Sequence, residues 1–157
     1  MKQKITTFLW FDNNAEEAMN FYISVFKNSK VVSMTRCGDA GPGPKGSLLV
    51  ATFQLEGQEF CAMNGGPQYK FTPAISLYVS CQTQQEVDEL WAKLSAGGKE
   101  IQCGWLTDRY GLSWQVIPDV LIKYLSDKDL AKAGRVMKAM MQMVKIDITK
   151  LERAYEG

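Results

Sequence analysis

The side chains that could do chemistry in this sequence are few, because its 157 residues include no histidine. Histidine is the commonest transition-metal ligand and the side chain best suited to proton transfer near neutral pH. Cys103 and Asp108 are the candidate catalytic groups: a thiol beside a glycine and a tryptophan, and a carboxylate at a predicted turn. A buried cysteine and a solvated turn are the commoner roles of such residues, and no imidazole is present to deprotonate the thiol.

The cysteines do not form a metal-binding pattern. They lie far apart, include no C-x-x-C pair and have no histidine to complete a zinc site. A domain of this size with this much apolar sequence does not need disulfides, so we expect reduced thiols at Cys37, Cys61, Cys81 and Cys103. The sequence therefore predicts neither a metal ion nor another cofactor.

Tryptophans and one glutamine are candidates for ligand binding. Trp10, Trp105 and Trp114 lie on predicted strands, where alternation could direct their rings into a cleft as a box for a planar or cationic ligand. Core packing explains the three rings equally well. Gln115 lies on the predicted closing strand, where a buried amide needs partners, so we include it among the ligand-binding residues.

Composition excludes several classes of protein. Hydrophobic residues make up 46% of the chain and charged residues 22%, as in globular domains. The 18 Lys and Arg and the 17 Asp and Glu residues are interspersed, so no nucleic-acid partner is expected. No apolar run reaches the roughly 20 residues of a membrane-spanning helix, and the N terminus lacks a signal-peptide core. We expect a cytoplasmic protein without a membrane partner.

The predicted elements occur in the same order twice. The first module, residues 5–64, is predicted as a strand at 5–11, a helix at 14–26, a strand at 30–36, a loop at 38–46 and hairpin strands at 48–55 and 59–63. The second module, residues 74–118, is predicted as a strand at 74–81, a helix at 83–94, a strand at 99–106, a turn at 108–111 and a strand at 112–117. Capping patterns start both helices, Asn14 with Glu17 and Thr83 with Glu86.

This duplication predicts an α+β fold of tandem βαβββ modules, because a module that buries only part of its apolar surface needs a second copy to pack against. The modules are expected to form a single domain over residues 1–118. Residues 119–157 are predicted as a helical extension that packs on the core or on a dimer partner. Its helices are expected at 120–125, 127–144 and 149–155.

Several segments resemble the PhnB-like branch of the vicinal-oxygen-chelate, or glyoxalase/bleomycin resistance, superfamily, a branch often labelled 3-demethylubiquinone-9 3-methyltransferase domain. The similar segments cover nearly the whole chain and read FLWFDNNAEEAMNFY at 8–22, SAGG at 95–98, CGWLTD at 103–108, YGLSWQVIP at 110–118 and MVKIDI at 143–148. The resemblance implies curved sheets that form a half-barrel cleft for a small molecule or metal, and a homodimer.

The resemblance also shows where metal ligands would lie. It places Thr7 and Ala74 at the first-strand positions, and Ala62 to Asn64 and Gln115 at the last-strand positions. Threonine, alanine, asparagine and glutamine are poor ligands for transition metals, which favour imidazole, thiolate or carboxylate. We therefore expect no transition-metal site at these positions. The glyoxalase and dioxygenase mechanisms, which depend on such a metal, are not expected either.

Three functional hypotheses follow. The first is a small-molecule-binding protein whose ligand contacts Trp10, Trp105, Trp114 and Gln115, with Thr7 and Asn64. The second is an enzyme with an unknown substrate, an isomerase, a lyase or the methyltransferase of the family label, in which Cys103 or Asp108 reacts. No G-x-G loop of the kind that binds a nucleoside cofactor follows the first strand. The third is a structural or regulatory dimer without a ligand.

Overall fold

The computed structural model describes residues 3–157, which divide into two compact units on either side of the Lys70–Phe71 peptide bond. Each unit contains one βαβββ module, so the predicted duplication and fold class are confirmed. The C-terminal helices belong to the second unit. Within residues 3–157, no helix is both long and apolar enough to cross a bilayer.

The first unit is a four-stranded sheet with one helix. Its elements are β1 (Thr7–Phe11), α1 (Ala15–Val25), β2 (Lys30–Arg36), β3 (Leu48–Leu55) and β4 (Gln58–Asn64). The strand order is β1-β4-β3-β2, with β1 parallel to β4 and the other neighbours antiparallel. The parallel pairing brings the C-terminal ends of β1 and β4 to the same edge of the sheet, which is where the candidate site lies.

Helix α1 covers one face of this sheet because apolar residues recur on one side of both elements. Ala18, Met19 and Tyr22 are buried on the helix, and alternate residues of the strands, such as Phe53 and Phe60, are buried beneath it. The Phe53 and Phe60 rings stack with centroids 5.7 Å apart. Alternation leaves the opposite face of the sheet only partly covered.

The second unit repeats this topology. Its module contains β5 (Ser76–Cys81), α2 (Gln84–Ser95), β6 (Lys99–Glu100), β7 (Trp105–Thr107) and β8 (Ser113–Pro118), in the sheet order β5-β8-β7-β6. The predicted cap of α2 is confirmed, since Thr83 Oγ1 accepts a hydrogen bond of 3.2 Å from the Glu86 backbone N–H. Trp91 lies in the core, as its helical spacing predicts.

One predicted strand is wrong. The segment 99–106 does not form a continuous strand, because Cys103 and Gly104 adopt positive φ angles of 62° and 79°. Their backbone N–H groups donate to the carbonyl oxygens of Met143 and Val144, each at 2.8 Å. The segment is therefore a hairpin whose turn is held by the C-terminal extension.

The extension consists of α3 (Asp119–Leu125), α4 (Leu130–Met140) and α5 (Ile148–Glu156). It packs on the second module through a buried cluster formed by Ile117, Leu121, Val136, Met143, Ile146 and Leu151. Helix α4 is shorter than the predicted 127–144. The Asp129 carboxylate caps its start by accepting from the Ala131 and Lys132 N–H groups, and the chain leaves the helix before Met143.

Candidate functional site

A pocket of about 420 Å³ opens at the edge of the first sheet where β1 and β4 end. Part of the lining comes from the strand ends, including Trp10, Met63 and Asn64, and part comes from the loop between β2 and β3. The remaining lining residues are Asp12, Asn13, Cys37, Pro42, Gly43, Pro44, Ser47, Leu48, Gly65 and Gly66. The walls are mainly apolar with a few polar groups, as in small-molecule sites generally.

Trp10 is held in a fixed orientation at this pocket. Its indole N–H donates to the Gly66 carbonyl oxygen at 2.9 Å, and its ring meets the Tyr69 ring edge to face with centroids 5.1 Å apart. A Cβ atom on Gly65 would overlap the indole carbons, so only glycine allows the backbone to lie against the ring. The half-buried indole is therefore a preformed aromatic wall.

The β2–β3 loop is closed at its base. The Cys37 N–H donates to the Ser47 carbonyl oxygen at 2.9 Å, and the Gly46 N–H donates back to the Cys37 carbonyl oxygen at 2.8 Å. Arg36 joins this base to α1 through an ion pair of 2.7 Å with Glu16. These contacts make the predicted 38–46 loop an ordered wall of the pocket.

Asn64 lines the pocket but its amide has a structural role. Its Oδ1 accepts from the Ala15 N–H at 2.9 Å, and its Nδ2 donates to the Leu48 carbonyl oxygen at 3.0 Å. The predicted cap from Asn14 is not formed by that side chain, and the Asn64 amide occupies the start of α1 instead. Asn64 thus connects β4, α1 and β3.

Thr7 lies away from the pocket. Residues of β1 alternate between the two faces of the sheet, and Thr7 shares the α1 side with Leu9 and Phe11, whereas Trp10 faces the other side. Of the sequence-based ligand residues, the structure therefore brings Trp10 and Asn64 together at the pocket and leaves Thr7 outside it.

Trp105 and Gln115 belong to the second unit, where they are paired neighbours on β7 and β8. Both are partly exposed. The Gln115 Nε2 donates to Ser76 Oγ at 2.9 Å, so the amide has a partner on the adjacent strand. The two residues share one face of the second sheet and are not part of the pocket of the first unit.

Trp114 and Asp108 lie in the core of the second unit, with only 2% and 3% of their surfaces exposed. The Trp114 indole N–H donates to Asp108 Oδ2 at 2.8 Å, while Oδ1 accepts from the Tyr110 and Leu112 N–H groups at 2.8 and 3.1 Å. Asp108 is therefore a buried carboxylate that holds the β7–β8 turn, where the sequence indicated a solvated turn. Alternation places Trp114 on the α2 side of β8, away from Gln115.

The cysteines are free thiols. Cys103 is partly buried in the turn before β7, and its backbone rather than its thiol makes the described contact with Met143. Burial, followed by the nearby Glu86 and Asp119 carboxylates, raises the pKa of the Cys81 thiol to about 12. Cys81 is consequently protonated at neutral pH and a poor nucleophile.

The positions to which the sequence resemblance assigns metal ligands do not fit a transition metal. Thr7 lies on the α1 side of β1, both ends of the Asn64 amide are hydrogen-bonded, and the Gln115 amide donates to Ser76. Ala74 has no side-chain ligand atom. Over residues 3–157, no group of three or more Cys, Asp or Glu side chains is placed to hold a metal ion.

Sequence reasoning missed several lining residues, namely Asp12, Cys37 and the loop prolines Pro42 and Pro44, and it included Met63 only within the last-strand range Ala62 to Asn64. The GPGP run at 41–44 marked a loop, but its sequence carried no signal for the wall against which it folds. Met63 is the β4 residue paired with Trp10 in the parallel register, so the two side chains lie on the same face of the sheet.

Comparison with known proteins gives a family and a fold. The family model of 3-demethylubiquinone-9 3-methyltransferase matches residues 3–117. The solved structure of a PhnB protein from Bacillus cereus is 45% identical, covers 74% of this chain and 99% of its own, and superposes with a TM-score of 0.69. Protein PA1353 from Pseudomonas aeruginosa shares the fold at 22% identity, covering 74% of this chain and 98% of its own, with a TM-score of 0.63. No curated protein matches.

The matched region ends at residue 117, within β8, so the helical extension lies outside the family model. The duplicated βαβββ architecture and the match over residues 3–117 agree with the resemblance seen in the sequence. This chain belongs to the PhnB-like 3-demethylubiquinone-9 3-methyltransferase family.

Proposed function

We propose that this protein binds a small organic molecule in the pocket beside Trp10, without a transition-metal ion. The observation that carries the proposal is the preformed pocket of about 420 Å³, walled by an oriented indole and a closed loop. This volume falls within the range of small-molecule sites, and its apolar walls would provide most of the binding free energy.

Methyl transfer receives less support from the residues. The β1–α1 connection reads Asp12-Asn13-Asn14 and has no glycine at which a nucleoside cofactor could approach the backbone closely. The candidate reactive groups are also poorly placed, since Asp108 is enclosed in the second unit's core and its oxygens hold the β7–β8 turn. The pocket and its oriented indole therefore support ligand binding, whereas the positions of the candidate reactive groups give little support to catalysis.

The first prediction concerns Trp10→Ala. Two isosteric probes, 4-tert-butylphenol and (4-hydroxyphenyl)trimethylammonium, are titrated by calorimetry into the purified protein. We expect at least one probe to bind, and its affinity to fall about tenfold in the variant because the aromatic wall is lost. Trp10→Phe should retain part of the affinity.

Trp105→Ala is the matched control, because it removes an indole from the second unit and should leave the affinity unchanged. Circular dichroism establishes that each variant is folded. Unchanged binding in a folded Trp10→Ala variant, or no binding of either probe to the native protein, contradicts the proposed site.

We also propose a cytoplasmic homodimer. Free thiols at all four cysteines suit a reducing compartment. Large apolar side chains are exposed in each unit, for example Phe8 at 56% and Ile75 at 73%, and such side chains favour association.

Light scattering coupled to gel filtration should give twice the mass of one chain, and Phe8→Ser should shift the population toward monomer. A single-chain mass at all concentrations contradicts the dimer.

A further inference from the structure

We propose that the ligand of the Trp10 pocket is an organic cation, an amine or quaternary ammonium joined to an apolar or aromatic body. The inference rests on the proposed function and adds the charge of the ligand. It follows from the side chains that line the pocket and from the partners of the charges around it.

Asp12 is the one Asp, Glu, Lys or Arg among the described lining residues. Its side chain is exposed, and it makes no ion pair with residues 3–157. A ligand cation beside Asp12 would gain a Coulombic attraction without displacing a protein partner. A ligand anion would meet repulsion and no cation in the wall.

The nearby basic side chains are already paired. Arg36 is bound to Glu16 at 2.7 Å, and Lys45 is bound to Asp39 at 2.8 Å. The pocket is formed by the chain segments 10–17, 36–48 and 63–66. These segments contain two basic residues and four acidic ones, namely the two ion pairs together with Asp12 and Glu17. The formal charge of these segments, counted from the sequence, is therefore −2.

The start of α1 would also favour an anion, because helix N-termini carry a positive partial charge. Here the Ala15 N–H is already bonded to Asn64 Oδ1 at 2.9 Å, and the first turn carries Glu16 and Glu17. The N-terminal charge is thus largely offset by the protein itself, and Asp12 precedes it.

Trp10 supplies the second favourable contact. An indole face attracts an ammonium group within about 6 Å through its quadrupole, and this attraction is strongest for tryptophan among the aromatic residues. The indole is oriented by Gly66, so no reorganisation is needed. A carboxylate and an indole in the lining of the same pocket are a combination suited to an ammonium ion with an apolar substituent.

The test compares the same probe pair, which differs only by replacement of a quaternary carbon by a cationic nitrogen. We expect native protein to bind (4-hydroxyphenyl)trimethylammonium about tenfold more tightly than 4-tert-butylphenol. Asp12→Asn should bring the two affinities together by weakening the cation alone. Asp39→Asn, which removes an equal charge from the loop but not from the pocket lining, should preserve the preference.

Each outcome has a distinct meaning. Equal binding of the two probes by native protein, with loss of both in Trp10→Ala, overturns the cation preference and supports the proposed function. A preference that survives Asp12→Asn overturns the role of Asp12. Failure of both probes to bind overturns the proposed function together with this inference.

Discussion

Replacing Asp108 with alanine should lower the free energy of unfolding by about 3–5 kcal/mol, because it leaves buried donors without an acceptor. The carboxylate accepts from the Tyr110 and Leu112 N–H groups and from the Trp114 indole N–H, all within 3.1 Å. With 3% of Asp108 exposed, water has little access to replace these bonds. Urea unfolding followed by tryptophan fluorescence measures the change.

Asp108→Asn separates charge from geometry. The amide retains one oxygen acceptor but places a donor group where a second acceptor is needed, so we expect a smaller loss of about 1–3 kcal/mol. Asp39→Asn is the surface control, since its exposed pair with Lys45 should change stability by less than about 1 kcal/mol. If Asp108→Ala unfolds at the same urea concentration as native protein, the carboxylate does not hold this turn.

Gly98→Ala should have a comparably large effect, a loss of about 3–5 kcal/mol, or loss of the folded second unit. A Cβ atom at Gly98 would overlap the Thr107 carbonyl oxygen and lie 2.8 Å from the Asp108 carbonyl carbon. Both atoms belong to the backbone, so rotation of a side chain cannot relieve the overlap. The β6–β7 pairing would have to separate at Lys99 and Thr107.

Gly134→Ala provides the matched comparison. Gly134 lies in α4, and an added Cβ there meets no atom within 4 Å. Alanine is the better helix former, so this variant should gain about 0.5–1 kcal/mol. Thermal unfolding by circular dichroism measures both variants. Equal melting temperatures for Gly98→Ala and Gly134→Ala would show that the two backbones do not approach as closely as described.

The predictable parts of the fold are those governed by neighbours in sequence. The Thr83–Glu86 cap needs only residues within one helical turn, and Thr83 accepts the expected hydrogen bond. The stripe through Trp91 follows from helical spacing alone. The duplication was visible because two modules of the same order repeat the same strand and helix patterns.

The errors arose where a distant segment decides the local conformation. Cys103 lies in a β-prone sequence, yet its N–H donates to Met143, forty residues later, and its φ angle is positive. Helix α4 stops short because the same C-terminal segment gives its carbonyl oxygens to this turn. No short-range pattern encodes either contact.

The candidate site was predicted in part. Trp10 and Asn64 line the pocket, whereas Trp105 and Gln115 lie on the second sheet and Trp114 is enclosed beneath α2. Alternation along β8 correctly places Trp114 and Gln115 on opposite faces of the sheet, but it does not predict which of the two faces α2 covers. That choice depends on which side of the sheet offers more apolar area to α2.

The sequence by itself determined the duplicated βαβββ order, the family and the helix starts that depend on adjacent residues, because short-range spacing and capping encode them. Only the tertiary structure decided that Asn64 caps α1, that Asp108 is a buried acceptor and that the GPGP loop closes a pocket over Trp10 and Met63. These features require residues far apart in the chain to meet, and the favourable burial and hydrogen bonding that bring them together exist only once the sheets have formed.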